Sequence, residues 1–249
     1  MLREQLLIAG CLAFAFLATM SEANADLILT VDGRANIFGA GHTVPPDPAG
    51  GGLEPGVMPP LFSFESQPDL ILTVTSVTGL ASMNGWGPFG GGDGLLLEEG
   101  VKNTDIYSHG GISGLLADDR YGPLVGVFLS DAEPSDPAPA RLDITGNIDF
   151  QSVTPLLNQT FFIGDGRDSN GNTQAFFVPK DATRLFLGFV DGNYDTHQPG
   201  YYSDNRGFLT VTLDVSAAPS AAVPEPSSLV VFSSLGVMWL AAAWRRKRR

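Results

Sequence analysis

Residues 189–208 read FVDGNYDTHQPGYYSDNRGF. Asp191, Asn193, Asp195, Asp204 and Asn205 set side-chain oxygens along this one stretch. Calcium takes about six to eight hard oxygens, from carboxylates, amides and backbone carbonyls, in a forgiving geometry. A loop held at both ends by strands supplies such a set. The same residue types also suit a polar surface loop, where Asp and Asn stabilise turns through their own backbone. Composition alone accommodates both readings.

A second stretch, 165–172, reads DGRDSNGN. Asp168, Asn170 and Asn172 have the alternate spacing that opens a calcium loop. An EF-hand closes with an acidic residue at the twelfth place, which here is Pro179. That excludes an EF-hand and leaves a tight turn as the expectation. Catalytic signatures are lacking: there is no Gly-x-Ser-x-Gly, no His-Glu-x-x-His and no phosphate-cradling loop. His42, His109 and His197 form no spaced cluster. Glu98-Glu99 and Asp118-Asp119 are sequence neighbours, so on a strand they point to opposite faces. The chain is therefore expected not to be an enzyme, with an unrecognised hydrolase as the alternative.

The elements that hold these loops are strands. Thirty glycines and eighteen prolines punctuate short β-branched or aromatic runs, and helical periodicity is hard to find. Strands are predicted at 27–31, 69–78, 124–129, 142–145, 159–163, 173–178, 184–190 and 207–215. In the last, Leu209, Val211, Leu213 and Val215 alternate with Thr210, Thr212 and Asp214, which implies one buried and one wet face. Residues 184–190 are almost continuously apolar and predict a central strand. DLILTV occurs at 26–31 and at 69–74, read as two similar strands rather than a duplicated module. About eight short strands with turn-rich connections argue for an all-β chain, a β-sandwich.

The body, 26–215, followed by a small-residue linker at 216–223, has the size of one domain. Residues 26–222 hold 24 Asp and Glu against eight Lys and Arg, a net charge of −16. No nucleic acid is expected as a partner, because phosphate binding needs a positive face. An acidic surface serves solubility as readily as calcium binding. Cys11 is the single cysteine. If it leaves with a leader peptide, the mature chain has no disulfide and no thiolate site.

Both ends read as targeting segments. Arg3, the apolar stretch 6–20 and Ala23-Asn24-Ala25 form a signal peptide at 1–25, with cleavage before Asp26. Ile8-Ala9-Gly10-Cys11 resembles a lipoprotein box, but the apolar region runs well past Cys11. At the other end, Ser227 to Trp244 carries no charge. As a transmembrane helix it is about 27 Å long, against a hydrocarbon core of roughly 30 Å. Arg245, Arg246, Lys247, Arg248 and Arg249 follow and favour the cytoplasmic side.

Pro224-Glu225-Pro226, the apolar helix and the terminal basic cluster together resemble the PEP-CTERM sorting signal of Gram-negative bacteria, here 224–249. The resemblance implies an exosortase-type transpeptidase as partner and removal of the tail near the Pro-Glu-Pro. It also implies export across the inner membrane, a membrane-anchored precursor, and a final place at the cell surface or in extracellular polysaccharide.

The body resembles the PA-IL-like galactophilic lectins. The similarity lies in the order of parts: DLILTV at 69–74, Ala81-Ser82, Trp86-Gly87-Pro88, the run to Asp191, and Asp204-Asn205 before the last strand. It implies a sandwich of the galactose-binding-like, jelly-roll type and a calcium ion that itself contacts two sugar hydroxyls. By position, Asp191, Asp204 and Asn205 would give side-chain oxygens. Backbone carbonyls near Met83 or Asn84 and near Tyr201 would complete the shell. Two departures stand out: the 191–204 loop is longer than in the lectins, and 89–119 is a long glycine-rich insertion. The expectation is thus a calcium-dependent carbohydrate-binding protein, with a matrix protein holding a purely structural ion as its rival.

Overall fold

The computed structural model describes residues 26–47, 55–87, 89–96 and 104–218. The signal peptide with Ala23 and Ala25, Cys11, and the tail 224–249 with its 227–244 helix lie outside the described residues. Asp26 is described and exposed. Among the described residues, no helix is long and apolar enough to cross a membrane.

The described residues are nearly all β, as their turn-punctuated runs predict. In chain order the strands are β1 (Leu27–Asp32), β2 (Leu61–Ser63), β3 (Leu70–Ser82), β4 (Leu95–Leu96), β5 (Thr104–Ile106), β6 (Leu115–Ala117), β7 (Arg120–Tyr121) and β8 (Val125–Leu129). There follow β9 (Leu142–Asp143), β10 (Ser152–Val153), β11 (Thr160–Phe162), β12 (Ala175–Phe177), β13 (Arg184–Gly188), β14 (Gly192–Asn193), β15 (Gln198–Pro199) and β16 (Arg206–Ala217). One sheet runs β1-β16-β3-β12-β10 and a second runs β11-β8-β13-β2. Each of the eight predicted runs contains a strand. β16 continues through Ala217, two residues beyond the boundary expected at 215.

The two DLILTV copies flank the same strand. Leu27 pairs with Leu213 on one side of β16, and Leu72 pairs with Val215 on the other. Leu209, Val211 and Leu213 are buried, as the alternation in β16 requires. They meet Phe128, Phe161, Leu185 and Leu187 of the second sheet in one apolar cluster. The Phe128 and Phe161 rings stack at 5.0 Å, and Phe161 lies 5.4 Å from Phe176. Full burial of each such side chain is worth about 1.5–3 kcal/mol relative to exposure.

The second sheet is covered on its other face as well. Val125, Val127 and Leu129 of β8 and Phe186 of β13 pack against Ile106, Ile112, Leu115 and the short 3-10 turn Ile37–Gly39. A small sheet, β5-β6-β9, forms much of this third layer. Burial on both faces explains why β8 and β13 are nearly continuous apolar runs rather than alternating ones. Two facing sheets were expected; the residues around 104–145 add a layer.

β13 and β16 belong to different sheets. The chain crosses from one to the other through residues 189–205, the stretch richest in oxygen ligands.

Candidate functional site

Leaving β13, the backbone is pinned before it reaches the surface. The Tyr202 hydroxyl donates to the Phe189 carbonyl (3.1 Å) and accepts from the Asp191 amide (3.2 Å). Tyr202 is fully buried in the second apolar cluster, so this clamp is fixed by packing. After Asp191 the chain makes a small hairpin, β14 with β15, in which Gly192 faces Pro199. Gly192 is needed there, because a Cβ would run into the Gln198 carbonyl. The Gly200 amide closes the neck on the Asp191 carbonyl at 3.1 Å. Tyr201 then adopts a left-handed conformation (φ 68°) and starts the 3-10 turn Tyr202–Asp204. This costly backbone state for a bulky residue turns the chain back toward Asp191. Asp204 and Asn205 are thereby delivered beside it, just ahead of β16.

Asn84, Tyr121, Asp191, Tyr194, Tyr201 and Asp204 line one cavity of about 410 Å³. Asn205 lies beneath it, its amide close enough to Asp191 to act on that carboxyl. Its Nδ2 donates to the Gly33 carbonyl at 3.0 Å, which anchors the side chain. Asp191 is 2% exposed and Asn205 1%. Gly192 donates its amide to Asp191 Oδ1 at 2.8 Å. Asp191 Oδ2, Asp204 Oδ1 and Asn205 Oδ1 are all buried without a hydrogen-bond partner. Among the described residues, only three other side-chain atoms share that condition, on Asp119, Arg120 and Gln174.

An unpartnered buried polar atom costs about 1–3 kcal/mol. Three acceptor oxygens on neighbouring side chains, none of them receiving a hydrogen bond, call for a proton or a cation. Burial pushes the Asp191 carboxyl up to about 8, with the Asp204 charge adding to the rise. The Asn205 amide, the Gly192 N–H and, least, the Tyr194 hydroxyl oppose it. Burial also raises Asp204, against the pull of its own backbone amide and of Arg206. Two carboxylates and one amide are hard oxygen ligands of the kind calcium prefers. The residues present therefore fit a divalent cation. Among the described residues, no group of three or more His, Cys, Asp or Glu is set to hold a metal. The candidate centre has two carboxylates and relies on an amide and on carbonyls for the rest.

Met83 and Asn84 line the same cavity. Met83 offers its carbonyl oxygen to the Tyr121 hydroxyl at 2.8 Å, and Asn84 offers its own to Ser82 Oγ at 2.5 Å. Each keeps a second lone pair. The Asn84 side chain is used locally, its Oδ1 accepting from the Trp86 amide at 3.2 Å. All five residues anticipated as ligands (Asn84, Asp191, Tyr201, Asp204 and Asn205) are thus brought to one place.

Tyr121 and Tyr194 were not anticipated. Their rings lie 5.8 Å apart and wall the cavity. Burial above all, and then the Asp191 charge, raises both phenols well above their ordinary range. Tyr121 follows directly on the glycine-rich insertion, which nothing in the sequence tied to the loop at 189–208.

The other stretches do not join this site. Asp168 accepts from the Asn170 amide (2.9 Å), the Asn172 amide (2.8 Å) and Asn172 Nδ2 (2.8 Å), a self-contained turn. His42 and His109 bond the Gly110 and Asp47 carbonyls respectively. In comparisons with protein families, with curated proteins and with solved structures, the chain matches none.

Proposed function

We propose that this chain is an exported protein whose β-sandwich, of the galactose-binding-like type, binds carbohydrate through a calcium ion. The observation that carries the proposal is the set of three buried, unpartnered oxygens on Asp191, Asp204 and Asn205. A calcium ion satisfies them together and removes the proton that burial otherwise keeps on Asp191. Carbonyls of Met83 or Asn84 and of Tyr201 would complete the shell. Two vicinal sugar hydroxyls would replace calcium-bound waters on the cavity side. Polysaccharide at the cell surface is the expected partner.

Delivery to that place is the role we assign to the termini. The leader ending at Ala25 exports the chain. Pro224, Glu225 and Pro226, the apolar helix and Arg245–Arg249 hold the precursor in the membrane until an exosortase-type enzyme removes the tail. No catalytic step is assigned to the body.

A glycan array with the purified protein, run with calcium and with chelator, tests this function. Binding that requires calcium supports it. Calcium uptake with no glycan bound at all would leave the ion as a brace for the loop. Glycan binding indifferent to chelator would exclude the metal-bridged mechanism.

A further inference from the structure

We propose that Asp195 and Tyr201 choose the sugar, Asp195 by accepting hydrogen bonds from a hydroxyl next to the metal-bound pair. The inference rests on the calcium-dependent sugar reading of the cavity. It assigns selectivity to the 192–199 hairpin and the turn that follows it, a part of the chain longer than the resemblance provides for.

Both residues line the cavity together with Asp191 and Asp204. Asp195 is exposed at the rim. Its carboxylate takes part in no ion pair among the described residues. What is fixed is the backbone beneath it. The Asp195 and Thr196 amides both donate to Asn193 Oδ1, at 2.9 and 3.0 Å. Asn193 Nδ2 in turn donates to the Tyr201 hydroxyl at 3.3 Å. That bond uses the phenol as acceptor and leaves its hydrogen to donate to a ligand. One asparagine thus couples the two groups.

The far side of the hairpin is tied to the third layer. The Tyr107 amide donates to the His197 carbonyl at 2.7 Å, and His197 Nδ1 lies 2.9 Å from the Asp105 carbonyl. The Tyr107 and His197 rings lie 5.3 Å apart, and Arg141 covers the Tyr107 ring at 4.9 Å while pairing with Asp105. A tip secured on both sides presents Asp195 with little ordering left to do when a ligand arrives, the condition for tight and selective contact. Among the described residues, no Lys or Arg lines the cavity. A neutral sugar with free hydroxyls suits Asp195, whereas a uronate or sulfate ester would meet its charge.

The test uses Asp195→Asn and Tyr201→Phe in the whole protein, probed first with calcium alone and then with a glycan array at saturating calcium. Asp195→Asn should keep its calcium affinity within about threefold, because an exposed charge is screened. Its affinity for the best wild-type glycan should fall by roughly tenfold, about 1.4 kcal/mol, or the ranking of glycans should change. Tyr201→Phe should show a smaller loss on the same glycan. An Asp195→Asn profile identical to wild type overturns the proposal, as does a loss confined to calcium affinity. Wild-type protein that takes calcium and binds no glycan also overturns it, while leaving the metal centre intact. Glycan binding that survives chelation but falls in Asp195→Asn keeps Asp195 as a sugar contact and removes the metal instead.

Discussion

Asp191 decides the chemistry of the site through a conflict between burial and charge. Its folded pKa, about 8, lies above the ordinary carboxyl value of 3.8. Without metal, the folded state holds a proton that the unfolded chain releases. The stability from that proton is present below about pH 4 and lost as pH rises through about 8. Thermal unfolding in chelator should therefore weaken across that range, and Asp191→Asn should flatten the slope. An identical slope in the variant would place the titration elsewhere. The proposed calcium would act with the opposite sign, since it needs the ionised carboxylate, so its apparent affinity should climb over the same range. The oxygen-bearing residues were legible in the sequence as candidates because Asp and Asn carry hard oxygens, although the same types suit a turn-rich surface loop. Tyr121 and Tyr194 were not, because a tyrosine ring carries no sign of which wall it will form.

At the scale of elements, the site depends on one hairpin and two long strands. Gly192→Ala drives a methyl group into the Gln198 carbonyl. It should lower both the melting temperature and the calcium affinity, read by calorimetry; calcium affinity equal to wild type would mean that the hairpin does not position Asp191. The sheets themselves rest on the aromatic layer. Phe161→Ala removes contacts to Phe128 and Phe176 and should cost about 3–5 kcal/mol in denaturant unfolding. A cost under about 1 kcal/mol, that of a tolerated volume-conserving swap, would show that the layer is not close-packed. β16, β8 and β13 were readable because their length lets alternation or continuous apolarity show. β4, β7, β14 and β15 have two residues each, too few for any period. The third layer escaped for a related reason. Its strands β5 and β6 are three-residue pieces among glycines, and their burial comes from what they cover rather than from their own pattern.

For the whole molecule, the proposed function would join a cavity at the crossover between the sheets, an acidic body and the tail in one sequence of events: export, anchoring, release and binding outside the cell. Mass spectrometry of protein recovered from the cell exterior should find the chain ending near Pro224-Glu225-Pro226, without Trp239 or the basic cluster. Exterior protein that retains Trp239 and Arg245–Arg249 would contradict removal of the tail. A body with 24 acidic and eight basic residues and, once the leader is gone, no cysteine has no covalent brace. Such a body would gain most from an ion that neutralises the buried Asp191 and half-buried Asp204 carboxylates at the crossover between its sheets. Calcium titration of the purified protein, followed by its unfolding free energy, tests that claim most directly. Stability should rise by about 2.7 kcal/mol when calcium reaches a hundred times its dissociation constant, and Asp191→Ala should abolish the rise. Unfolding unchanged by millimolar calcium, or a rise that survives in Asp191→Ala, would contradict it.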